Sequence, residues 1–66
     1  MSESLKQYLL NNRFVNAVDN YFSGNGLEVR IGKYDATLIE HDGAYVGSFA
    51  EVQGRVEILL DKDNRD

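Results

Sequence analysis

Few residues in this chain have the type and spacing to do chemistry. Glu40, His41 and Asp42 stand in a row, and His41 is the single histidine. An imidazole flanked by carboxylates can serve as a general base if the side chains converge. Neighbours along a strand do not converge, because successive side chains point to opposite faces. Asp42-Gly43 lies between apolar runs and reads as a tight hairpin turn, with His41 as the last residue of its strand. There is no cysteine nucleophile, and no serine sits in a nucleophile elbow. No catalytic residue is assigned, and the chain does not read as an enzyme. The segment DKDNRD spaces Asp61, Asp63 and Arg65 like the opening of a calcium loop, without its glycine and closing Glu. SGNG follows an expected helix rather than a strand, so it is not read as a phosphate cradle. Zero cysteines and one histidine leave no ligand set for a structural zinc. No metal or cofactor is expected.

Length and charge narrow the classes further. The chain has 66 residues, enough for a single domain over 1–66. A domain this small hides only about 60% of its unfolded surface, and small domains without disulfides or metals often oligomerise or dock on a partner. Residues 1–33 carry a net +1 and residues 34–66 a net −5. Lys and Arg are scattered singly, whereas binding to a phosphate backbone needs them clustered. Nucleic acid is therefore not the expected partner. An acidic second half suits a partner with a basic surface, or serves solubility alone. No apolar run is long enough for a signal peptide or a membrane span, so a soluble, cytoplasmic protein is expected.

The N-terminal third carries helix signals. Ser4-Leu5-Lys6-Gln7 fits a capping box, and the glycines of SGNG supply a stop. Leu10, Phe14, Ala17, Val18 and Tyr21 fall on one helical face over about 4–22, while Leu5, Tyr8 and Leu9 fall nearly opposite. One straight helix cannot bury both stripes against one sheet. Either it breaks at Asn11-Asn12, both poor helix formers, or Leu5, Tyr8 and Leu9 meet another molecule. From Leu27 onward the period changes to two. Strands are expected at about 27–31, 34–41, 44–52 and 55–61, with 62–66 a disordered, solvated tail. Two-residue turns would set Val29 against Ala36, Leu38 against Gly47 and Phe49 against Ile58. One face then collects Leu27, Val29, Ile31, Tyr34, Ala36, Leu38, Tyr45, Phe49, Val56, Ile58 and Leu60. The expected fold is α+β: an N-terminal helix packed on a four-stranded antiparallel β-meander.

The opposite sheet face is not wholly polar. Ile39 faces Val46, with Leu59 nearby, and an apolar strip on a wet sheet often marks an interface. The candidate partner-binding residues are therefore Leu5, Tyr8, Leu9, Ile39, Val46 and Leu59, with Glu57 among the acids that would set orientation. The function expected from these residues is protein–protein interaction. The chain would be a small acidic regulator, adaptor or inhibitor that occupies a partner's surface, a size and charge also usual for phage-encoded inhibitors. A homodimer or higher oligomer is the other way to cover the same strips.

A second reading comes from DGAYVGSFAEVQGRVEILLD, residues 42–61. Its Gly43, Gly47 and Phe49, followed by Val52, Val56, Ile58 and Leu60, resemble the first sequence motif of Sm and Sm-like RNA-binding proteins. The resemblance covers about a third of the chain. It implies a helix ahead of a curved antiparallel sheet, in a self-assembling nucleic-acid-binding module of Sm or SH3-like type. Gln53 and Glu57 stand where that family has its RNA-contacting Asp and Asn, and its second motif does not follow Leu60.

Overall fold

The computed structural model describes residues 2–63. The order is α1 (Ser2–Asn11), β1 (Val15–Val18), β2 (Tyr21–Gly24), β3 (Leu27–Ile31), β4 (Ala36–Glu40), β5 (Gly43–Gly47) and α2 (Phe49–Asp63). The five strands form one antiparallel sheet in sequence order, a meander whose edges are β1 and β5. The α+β class and the antiparallel meander stand as expected. The number of strands and the chain's last third do not.

The first helix breaks where its asparagines are. The Asn12 side-chain amide donates to the Tyr8 carbonyl at 2.7 Å. The Phe14 N–H reaches back to the Leu9 carbonyl at 3.0 Å, and Arg13 between them has φ of 70°. This is a Schellman ending, with Arg13 in the left-handed position that glycine usually takes. Leu9 and Phe14 are both buried, which supplies the hydrophobic contact that accompanies such caps. Ser4 lies inside α1 and does not cap it. Gln7 donates forward to Asn11 rather than back toward Ser4.

Residues 14–22, expected to be helical, instead form the β1–β2 hairpin. Asn25-Gly26 then makes the next turn, with φ of 54° and 75°. A type I′ turn needs positive φ at both central residues, and Asn-Gly is the pair that best tolerates it. The glycines read as a helix stop thus belong to a strand end and a turn. Gly24 has a second reason to be glycine. A Cβ there would lie 2.5 Å from the Arg13 carbonyl oxygen, because the α1–β1 connection crosses it closely.

The β3–β4 connection spans residues 32–35, closed by a bond from the Gly32 N–H to the Asp35 carbonyl. Ile31 therefore pairs with Ala36 and Val29 with Leu38, a shift of two residues from the expected register. In the next hairpin the turn is His41-Asp42, one residue earlier than expected, and Leu38 pairs with Tyr45. A shift of two leaves every side chain on its expected face. Val29, Ile31, Ala36 and Leu38 all point into the core. Tyr34 does not, being a loop residue that is 80% exposed with Lys33 above its ring.

Beyond Gly47 the expected strands give way to helix. Ser48 caps α2 with Glu51: the Ser48 N–H donates to a Glu51 carboxylate oxygen at 2.8 Å, and the Glu51 N–H to Ser48 Oγ at 3.1 Å. This is a complete capping box, and Val52, Val56 and Leu59 then recur at helical spacing toward the sheet. Lys62 and Asp63, expected in the tail, are part of α2, and residues 64–66 lie outside the described residues. The stretch resembling the Sm motif thus runs from β5 into α2, so the strands that the resemblance implies over 49–60 are replaced by helix. Both helices cover one face of the sheet. Leu5 and Leu9 of α1 meet Val52 and Val56 of α2 over Phe22, Val29, Ile31 and Leu38.

Candidate functional site

With both helices on one side, the other face of the sheet is bare. Its pairing defines two rows across the strands. One row runs Val15, Ser23, Glu28, Ile39, Ala44, and the other Val18, Tyr21, Arg30, Thr37, Val46. The bulge between Asn16 and Val18 resets the alternation, so that Val15 and Val18 both face outward. Each is 65% exposed, and Val46 is 60% exposed. Ile39, from the middle of β4, is half-buried by its neighbours.

The polar members of this face satisfy one another. The Tyr21 hydroxyl donates to the Glu28 carboxylate. That bond pushes the phenol's pKa up, with burial adding to it and the nearby Arg30 opposing. Tyr21 is therefore not a core residue as the sequence suggests. It stands over β3 on the outer face, where Glu28 and Arg30 lie side by side. Around this pair the surface is apolar at both ends, with Val15 and Val18 on one side and Ile39, Ala44 and Val46 on the other. The arrangement suits recognition of a complementary surface.

The expected interface residues separate into distinct places. Ile39 and Val46 lie on the bare face. Leu5 and Leu9, 1% and 0% exposed, are core residues, because the broken helix turns its whole apolar stripe onto α2 and the sheet. They are not available to a partner. Tyr8 is half-buried against the core, and its phenol is pushed up by burial and by the charge of Glu57 across from it on α2. Leu59 is likewise half-buried on α2, on the helical side of the sheet rather than on its outer face. Glu57 is exposed on α2 and accepts from Gln53.

His41 stands in the exposed β4–β5 turn, and its side chain makes no hydrogen bond among the described residues. Glu40 is turned toward α2, where both carboxylate oxygens accept from the Arg55 guanidinium at 2.9 and 3.1 Å. This bidentate bond holds the Glu40 carboxyl below the ordinary carboxylate range. Glu40 therefore does not address His41. Beside the turn lies an open cleft of about 360 Å³ between the β2–β3 turn and the end of α2. Leu27, Leu59 and Leu60 line it, with His41 and Lys62 also contributing. Among the described residues no three His, Cys, Asp or Glu side chains are grouped to hold a metal ion. Among the described residues no helix is long and apolar enough to cross a membrane.

The Asn-Gly turn and the Ser48–Glu51 box are both visible in the sequence as motifs. The contribution of Val15 and Val18 to the outer face is not, because it depends on a bulge that no local pattern announces. No protein-family model matches the chain, and no curated protein or solved structure is significantly similar to it.

Proposed function

We propose that the chain is a protein-interaction module, a regulator, adaptor or inhibitor that lays the outer face of its sheet on a partner's surface. The observation that supports this is the bare face itself. A five-stranded sheet in a small domain leaves one side without a covering layer, and that side carries Val15, Val18, Ile39 and Val46 rather than a uniform polar coat. Anchoring would come from these apolar groups, with the Tyr21–Glu28–Arg30 cluster fixing register. Glu51, Glu57 and Asp61, on α2, lie off this face and would act at longer range. In a chain of formal net charge −4 they favour a partner with a basic surface and speed its approach. Of the paired strand residues on the outer face, Arg30 alone is basic, with Glu28 beside it, which favours protein over a phosphate backbone.

The test places a photo-crosslinking residue at Val46 and, separately, at Tyr34, which is exposed away from this face. Adducts to a defined partner from Val46 and not from Tyr34 are expected. Ile39→Asp and Val15→Asp should then abolish the adduct while leaving the circular dichroism spectrum unchanged. If well-folded Ile39→Asp and Val15→Asp variants bind that partner as tightly as the parent chain, the outer-face reading is wrong.

A further inference from the structure

The two edges of the sheet are built differently. β1 is interrupted by its bulge, and the Asn16 side-chain amide donates to the carbonyls of Val18 and Tyr21 at 2.6 and 3.0 Å. Bulges of this kind are how sheets blunt an edge against unwanted pairing. β5, the segment Gly43–Gly47, has no such device. It holds no charge and no proline, its pairing with β4 is regular, and residues 43–46 are exposed. Glu40 and Gly43 flank a two-residue turn and so form a hydrogen-bonded pair. Alternation along an antiparallel ladder makes Leu38–Tyr45 and Ala36–Gly47 the next bonded pairs. The backbone N–H and C=O groups of Ala44 and Val46 therefore point away from the sheet, spaced to receive one more antiparallel strand.

We propose that β5 pairs antiparallel with β5 of a second copy of this chain, about a two-fold axis at Tyr45, joining two sheets into one. In this register Ala44 of each copy faces Val46 of the other, and the outward N–H and C=O groups of both residues are bonded. The side chains fit as well as the backbone. On the outer face Ile39 and Ala44 of one copy continue into Val46 of the other, so a single apolar strip crosses the seam. The nearest charges of that face, Glu28 and Arg30, sit on β3, two strands inward. Charge favours this edge over other surfaces for a copy. The chain is formally −4 and its copies repel in general, while β5 carries no charge for like to meet like. The contact uses the edge of the sheet rather than its face, so it can fail without the outer-face reading failing.

The test exploits the absence of cysteine from the sequence. Residues facing each other in a non-hydrogen-bonded antiparallel pair have Cα atoms about 4.5 Å apart, within the range a disulfide spans. Tyr45→Cys should give a disulfide-linked dimer under mild oxidation, while Tyr34→Cys, off the seam, should form no disulfide-linked dimer under the same conditions. Light scattering of the unmodified chain should show mass rising from one copy to two with concentration. Val46→Pro removes an outward N–H without touching the β4 ladder, and should weaken association about tenfold or more. A parent chain still monomeric at about 1 mM overturns the proposal. So does a dimer in which Tyr45→Cys cross-links no better than Tyr34→Cys. A dimer abolished by Val15→Asp but indifferent to Val46→Pro would place the contact on the outer face instead, and would equally overturn β5 pairing.

Discussion

At the scale of single residues, two polar contacts fix how α2 is set against the sheet. The Ser48–Glu51 capping box starts the helix one residue beyond β5, so the chain turns from edge strand to core helix with no loop between them. Ser48→Ala removes the acceptor for the Glu51 N–H and should cost about 1 kcal/mol, the usual worth of an N-cap; chemical denaturation reads it directly. The Arg55–Glu40 pair ties the middle of α2 to the end of β4. Because the guanidinium lowers the Glu40 pKa on folding, its contribution is present at neutral pH and is lost as pH falls through the folded value. Acid unfolding of Glu40→Gln should therefore begin from lower stability at pH 7 and converge on the parent at low pH. Tyr8 acts at the other end of the pH scale: burial and the charge of Glu57 disfavour its phenolate, so the folded state loses stability as the pH rises past the ordinary value of 10.0. Two signals at this scale are legible in the sequence. S-x-x-E at 48–51 and Asn-Gly at 25–26 each carry a stated mechanism. The sequence expectations rest on longer patterns instead: the apparent alternation of VEILLD, and the apparent helical wheel of residues 10–21.

At the scale of elements, parity explains why the central sheet was readable although its registers were not. Turn lengths set register, and both the 32–35 loop and the His41-Asp42 turn differ from expectation. Each moves the pairing by two residues, so Val29, Ile31, Ala36 and Leu38 keep their face. At the ends there was no such protection. Val52, Val56 and Leu60 are spaced by four, which satisfies a helix and equally satisfies alternate positions of a strand. The capping box decides it, and burial of Val52 and Val56 confirms that the helical face is the one used. The surplus stripe of Leu5 and Leu9 is resolved by the break after Asn11, which frees α1 to lie on α2. Leu9→Asp should consequently unfold the chain, as loss of the circular dichroism signal, whereas Ile39→Asp should not. Gly54 offers the converse case. It sits inside α2 with ordinary helical φ, and a Cβ there meets nothing within 4 Å. Gly54→Ala should stabilise by about 0.5–1 kcal/mol through backbone entropy alone. Gly24→Ala, whose Cβ would press on the Arg13 carbonyl, should destabilise.

At the scale of the whole molecule, the constraint is size. The core is one layer, with two helices against one face of the sheet, and a sequence without cysteine has no disulfide to reinforce it. A single face of buried apolar groups gives a domain of 66 residues only marginal stability. The outer face and the β5 edge are both places where further burial is available, and covering either one stabilises the folded chain by mass action. Pairing at β5 makes that linkage testable without any partner. If folded copies associate and unfolded chains do not, the midpoint of thermal unfolding must rise with protein concentration. Val46→Pro should flatten that dependence, and its midpoint should match the parent's only at high dilution, where both are monomers. A parent midpoint that stays constant while light scattering reports dimer would mean that the associating species is not the folded one. The contact would then be assigned to exposed strand in partly unfolded chains, for which an uncharged, bulge-free edge is also the natural template.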